Sequence, residues 1–153
     1  MAMKFTDALD KKPDDVVAPP ILPVGTYIFM VTKAHTVRET EAWDFVTLPV
    51  KVLSAEDDVD EDDLAEFGKV LDTPSRVQFM FPTDPEEETS YKRSEFQLKK
   101  FLESHLQVEG DTMGEMLANA VNAQFLGTIK HVPDKRDPSV VYAEIRGTAP
   151  LMD

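Results

Sequence analysis

Two alternating stretches govern what this chain can fold into. "GTYIFMVTKAH" (25–35) and "AWDFVTLPVKVL" (42–53) are rich in aromatic and β-branched residues, with apolar side chains at every second position. That period belongs to a half-buried β-strand, whose successive side chains point to opposite faces of a sheet. "RVQFMF" (76–81) repeats it more briefly, and "AQFLGTIKHV" (123–132) and "SVVYAEIRGT" (139–148) bring the predicted strands to five. Pro49, lacking an N–H to donate, marks an edge or a bulge in the second strand.

The other segments carry different signals. "SEFQLKKFLESHL" (94–106) is predicted helical: Ser94 and Gln97 have capping-box spacing, and Leu98, Phe101, Leu102 and His105 share a face. "TDPEEE" offers an earlier start to the same helix, with Thr83 or Asp84 as cap and Pro85 at its first position. A shorter helix covers "TMGEMLANAV" (112–121), with Met113, Met116 and Leu117 turned to the core. "VRET" (37–40) reads as a polar connection. Residues 1–24 contain four prolines and no period, which predicts an extended arm. The order of strand, strand, strand, helix, strand, strand is the OB-fold layout. The expected architecture is therefore mainly β: a five-stranded Greek-key barrel over 25–150, with its helix between strands three and four.

Charge and composition narrow the function classes. Among 153 residues there is no cysteine, which excludes disulfides and thiolate metal sites, and the three histidines (His35, His105, His131) have no ligand spacing. No apolar run approaches a membrane span, and the N-terminus has no signal-peptide core, so a soluble cytoplasmic protein is expected. The net charge is -13. Eight acids lie between Glu56 and Glu66, and Asp84, Glu86, Glu87 and Glu88 add four, so all but one unit of that excess sits in two short segments. The end of the first, "DEDDLAEFG", reads as one or two solvated helical turns stopped by Gly68. It is not an EF-hand: counting from Asp58, the sixth position is Asp63 and the twelfth is Lys69, where glycine and glutamate are needed. With no Gly-rich phosphate loop either, no enzyme, cofactor or metal is expected.

Sorting the strands by face yields a candidate binding surface. Val46, Leu48, Val50 and Val52 form the inner set of the second strand, opposite Trp43, Phe45, Thr47 and Lys51. Val77, Phe79 and Phe81 oppose Arg76, Gln78 and Met80, while Val141, Ala143 and Ile145 oppose Tyr142, Glu144 and Arg146. Neighbouring connections add Arg38, Lys135 and Arg136. Aromatic rings for stacking bases and cations for tracking phosphates are what single-stranded nucleic acid requires. The competing reading packs Trp43 and Phe45 under the arm or a partner subunit. Lys92, Arg93, Lys99 and Lys100 read as the solvated face of the helix.

"ILPVGTYIFMVTKAH" together with "QFLGTIKHVPDKRDPSVVYAEIRGTAP" (124–150) resembles bacteriophage-encoded single-stranded DNA-binding proteins. The residues that carry the likeness are Pro23, Gly25 and Tyr27, then Gly127, His131, Tyr142 and Ile145. The resemblance implies an OB-fold that coats single-stranded DNA without sequence preference during phage replication or recombination, in the host cytoplasm. Its contact set would be Tyr27, Trp43, Phe45, Lys51, Arg76, Lys135, Arg136, Tyr142 and Arg146. Many such proteins end in an acidic tail that recruits replication proteins. Here the sequence ends "RGTAPLMD", so either Glu56–Glu66 takes that role or the protein recruits no partner. The arm would serve self-association. The rival expectation is an acidic protein-interaction module, a DNA mimic or a replication or assembly accessory, that binds no nucleic acid.

Overall fold

A computed structural model describes residues 4–16 and 19–151. The alternating segments pair into one antiparallel sheet of β1 (Gly25–Val31), β2 (Thr36–Glu39), β3 (Trp43–Ala55), β4 (Pro74–Pro82), β5 (Gln124–Pro133) and β6 (Val141–Pro150). The sheet order is β2-β3-β1-β5-β6, with β4 on the other edge of β3. Among the described residues, four α-helices accompany it: α1 (Phe5–Leu9), α2 (Glu61–Phe67), α3 (Glu88–Lys100) and α4 (Met113–Asn119).

The length of β3 explains the layout. Along one edge it pairs first with β2, through Asp44–Thr47, and then with β1, from Val50 to Ala55. Its opposite edge pairs with β4 from Trp43 to Lys51. Pro49 lies where the first edge changes partner, and its carbonyl accepts from the Thr32 amide at 3.0 Å on the β1 side. The missing N–H thus falls between the two ladders, opposite Thr32 just past the end of β1, where the reciprocal bond of that pair is not made.

The inner faces form the core. Tyr27, Phe29 and Val31 of β1 are buried against Leu48, Val50 and Val52 of β3, with Phe125 and Ile129 of β5. Phe29 stacks on Phe125 at 5.6 Å between ring centroids, and Phe101 meets Phe125 edge-on at 5.2 Å. Each such side chain contributes roughly 1.5–3 kcal/mol by leaving water. Gly127 makes the stacking possible, since a Cβ there would lie 2.8 Å from the Phe29 ring.

Helices close the ends of the sheet. Asp84 accepts from the Glu86 amide at 2.9 Å and starts a 3-10 turn (Pro85–Glu87) that runs into α3, so the helix begins at the earlier of the two predicted points. Ser94 caps nothing. Its hydroxyl donates to the Met80 carbonyl at 2.6 Å and ties α3 to β4. Beyond Lys100 the helix widens into a π-helical turn (Phe101–His105), which buries Phe101 and Leu102 and lets His105 share a 2.6 Å hydrogen bond with Thr148 of β6. In the acidic segment, Asp60 caps α2 by accepting from the amides of Asp62 and Asp63. Asp58 accepts from the amide and hydroxyl of Thr26, at 2.9 and 2.7 Å, and buried Val59 fills the space over Gly25. The acidic segment is therefore pinned to the root of β1.

Several expectations need correction. The sheet has six strands rather than five and does not close into a barrel: β4 and β6 approach within 8 Å at Cα without a shared ladder. β2 replaces the expected polar connection. All four of its residues are exposed, so no apolar alternation betrays it, and backbone pairing with β3 alone makes the strand. β1 stops at Val31 rather than His35. Val141 is exposed instead of inward. The segment read as an extended arm contains α1, formed upstream of its first proline, Pro13. Residues 1–3 and 17–18 of that segment lie outside the described residues.

Candidate nucleic-acid interface

A groove of about 710 Å³ lies along the open seam between β4 and β6. Pro74, Ser75, Arg76, Gln78 and Met80 form one wall, and Tyr142 to Arg146 form the other. Three predicted contact residues thus meet in one place: Arg76, Tyr142 and Arg146. Strand alternation is the cause, because Arg76, Gln78 and Met80 occupy the outward positions between Val77, Phe79 and Phe81.

Cross-strand register extends this surface over β3 and β2. Met80 pairs with Phe45, and Phe45 with Arg38, so one row runs from the groove across three strands. The Arg38 guanidinium lies over the Phe45 ring, 4.7 Å from its centroid, a cation–π contact of about 0.5–1 kcal/mol at an exposed site. The next row joins Gln78, Thr47 and Thr36, and the Gln78 amide donates to the Thr47 hydroxyl at 3.1 Å. Trp43 lies two positions before Phe45, directly after the turn of the β2–β3 hairpin, and is 39% exposed.

The β5–β6 loop is held beside the groove by one carboxylate. Asp134 accepts from the amides of Arg136 at 2.7 Å and Asp137 at 3.1 Å, and from the Tyr142 hydroxyl at 3.0 Å. The Arg136 amide, then the Tyr142 hydroxyl, then the Asp137 amide hold its carboxyl below the usual carboxylate range. The same hydrogen bond, followed by the Asp134 charge, pushes the Tyr142 phenol upward. The loop presents Lys135 and Arg136, both exposed, with its base fixed to a residue of the groove wall.

The cations fall into two groups. Lys51 pairs with Asp72 at 3.1 Å, and Arg146 with Glu144 at 2.7 Å. Arg38, Arg76, Lys135 and Arg136 make no ion pair with a described residue. The acid-rich α2 contributes nothing to the groove walls. Among the described residues, no three carboxylates or histidines converge on a point that would hold a metal ion.

Tyr27 is a correction. It is fully buried, its hydroxyl donates to the Pro23 carbonyl at 2.6 Å, and burial pushes its pKa up to about 12. It is core, and no base reaches it. Gln78 and Met80, in contrast, belong to the surface although the predicted contact set omitted them. Their signal was present as the same two-residue spacing that marks Arg76. Glu144 was also legible as outward, but its neutralisation of Arg146 was not.

Compared with known proteins, the chain matches no family model and no curated protein. Among its described residues, no helix is long and apolar enough to cross a membrane.

Proposed function

We propose that this chain binds single-stranded DNA without sequence preference, across the outer face of β2, β3 and β4 and into the groove beside β6. The observation that carries the reading is the gathering of Arg76, Gln78, Met80, Tyr142 and Arg146 in one groove continuous with the Arg38–Phe45 row. Such a surface offers stacking platforms and phosphate partners without a fixed pattern of base-edge donors, which suits any sequence. The fold is read as an OB-type barrel with an open seam. Support comes from the run β4-β3-β1-β5-β6, which is the Greek-key order of that barrel, with β2 added to its first hairpin. In OB-folds the face of strands two and three and two flanking loops take oligonucleotides. The corresponding parts here are the β3–β4 face, the β2–β3 hairpin and the β5–β6 loop. The setting is phage DNA replication or recombination in the host cytoplasm, with the pinned acidic segment docking basic replication proteins.

The net charge of -13 does not oppose this reading, because the acids of Glu56–Glu66 lie outside the groove. Titration with oligo-dT and with duplex of equal length, following Trp43 fluorescence and gel mobility, tests it. Quenching and retardation by the single strand, fading with salt, are expected. Neither signal at low salt would overturn the reading and leave the acidic protein-interaction module in its place.

A further inference from the structure

Among the described residues, two apolar features lack a partner, and their chemistry is complementary. The first is α1. Phe5, Ala8 and Leu9 share one face of this helix, and Phe5 and Leu9 are 78% and 66% exposed. No residue of α1 is buried. Lys4 borders the apolar face, while Asp7 and Asp10 fall on the opposite side by helical spacing.

The second feature is a groove of about 410 Å³ between α3 and the start of α4, which shares no lining residue with the groove of the β4–β6 seam. Phe96, Met113 and Met116 supply its apolar surface, and Phe96 is 64% exposed. Glu95, Glu103 and Asp111 stand on its rim against the single cation Lys99. None of its lining residues comes from α1. An apolar helix face bordered by lysine thus complements an apolar groove bordered by carboxylates, as in helix-in-groove recognition.

We propose that the α1 arm of one copy docks in the Phe96–Met113–Met116 groove of a second copy. Within one chain α1 lines no part of this groove and buries none of its residues, so the occupant assigned is the arm of a second copy. The arm is pinned at its root: the Leu22 carbonyl meets His131 Nε2 at 2.8 Å and the Pro23 carbonyl accepts from Tyr27. That root enters β1 at Gly25, whereas the residues after α4 join the far end of β1, where the Asn122 amide donates to the Val31 carbonyl. β1 alone separates the two ends by roughly 20 Å. Twelve residues, 10–21, join α1 to that root and span at most about 40 Å when extended, enough to reach a neighbouring copy. Because arm and groove are different surfaces, the contact is heterologous. It either closes reciprocally into a dimer or passes from copy to copy along a row.

The absence of cysteine allows a direct test. Leu9→Cys and Met113→Cys are made in separate chains, mixed, and oxidised mildly, with each variant alone as background. A disulfide-linked product of twice the 17.2 kDa chain mass, formed only in the mixture, is expected. It should vanish when Phe96→Asp is added to the Met113→Cys chain. Sedimentation of the unmodified protein should show association that Phe5→Asp/Leu9→Asp weakens by ~100-fold or more. These residues are exposed, so the domain stays folded. A double-cysteine chain that cross-links only within itself would overturn the proposal, and so would a protein that remains monomeric at every concentration.

Discussion

Salt dependence gives the sharpest test of the seam as a strand-binding surface, because the cations there are not equivalent. Counterion release makes log K fall with log salt at about 0.7 per phosphate neutralised on a single strand. Arg38, Arg76, Lys135 and Arg136 are free of ion pairs with described residues, so a slope near -2.8 is expected from these four. Between 50 and 200 mM salt that is roughly a 50-fold loss of affinity. Arg76→Ala should reduce the slope by about 0.7. Arg146→Ala should change it far less, because Glu144 at 2.7 Å already neutralises that guanidinium. Glu144→Gln should steepen the slope toward -3.5, by about 0.7, by freeing Arg146. The assay is fluorescence anisotropy of labelled oligo-dT at five or so salt concentrations. Equal slope losses for Arg76→Ala and Arg146→Ala would refute the division into free and paired cations. A slope indifferent to Arg76 would remove the groove from the binding surface.

Two further outcomes concern the scaffold. Gly127→Ala places a methyl group against the Phe29 ring and should lower stability by about 1–3 kcal/mol in denaturant unfolding, through overpacking of the Phe29–Phe125 stack. Tyr27 ionises at about 12 in the folded state against an ordinary value of 10.0, so its contribution is complete below pH 10 and is lost as pH rises toward 12. Tyr27→Phe should flatten that alkaline loss in a melting-temperature profile, and an unchanged profile would contradict the assignment.

The parts of the fold that the sequence displayed are those governed by side-chain period. Leu48, Val50 and Val52 face inward as their alternation requires, and Arg76, Gln78 and Met80 face outward for the same reason. Asp84–Pro85 marked the start of the helical region because a cap and an N1 proline are local devices. The missed features depend on partners remote in sequence. β2 exists because β3 is long enough to lend it an edge. Tyr27 was placed among the contact residues although it shares the parity of buried Phe29 and Val31, and that parity was the better guide. Glu144 and Arg146 were both legible as outward by their spacing, but that they pair at 2.7 Å depends on side-chain conformation, which the period does not carry.

The unclosed seam also bears on how the protein avoids clumping. A sheet that stops short of closure leaves β4 and β6 each with an edge of amides and carbonyls that no neighbouring strand occupies. Such edges are templates for a strand from another molecule, and natural sheets protect them with charged side chains. Arg76, Glu144 and Arg146 stand along this opening. These charged side chains thus act as guards against edge-to-edge polymerisation, Arg76 in addition to its proposed role toward a phosphate backbone. Neutralising them together should expose the seam to self-templating, so a multiple alanine variant is expected to aggregate at concentrations where a charge-reversed one stays dispersed.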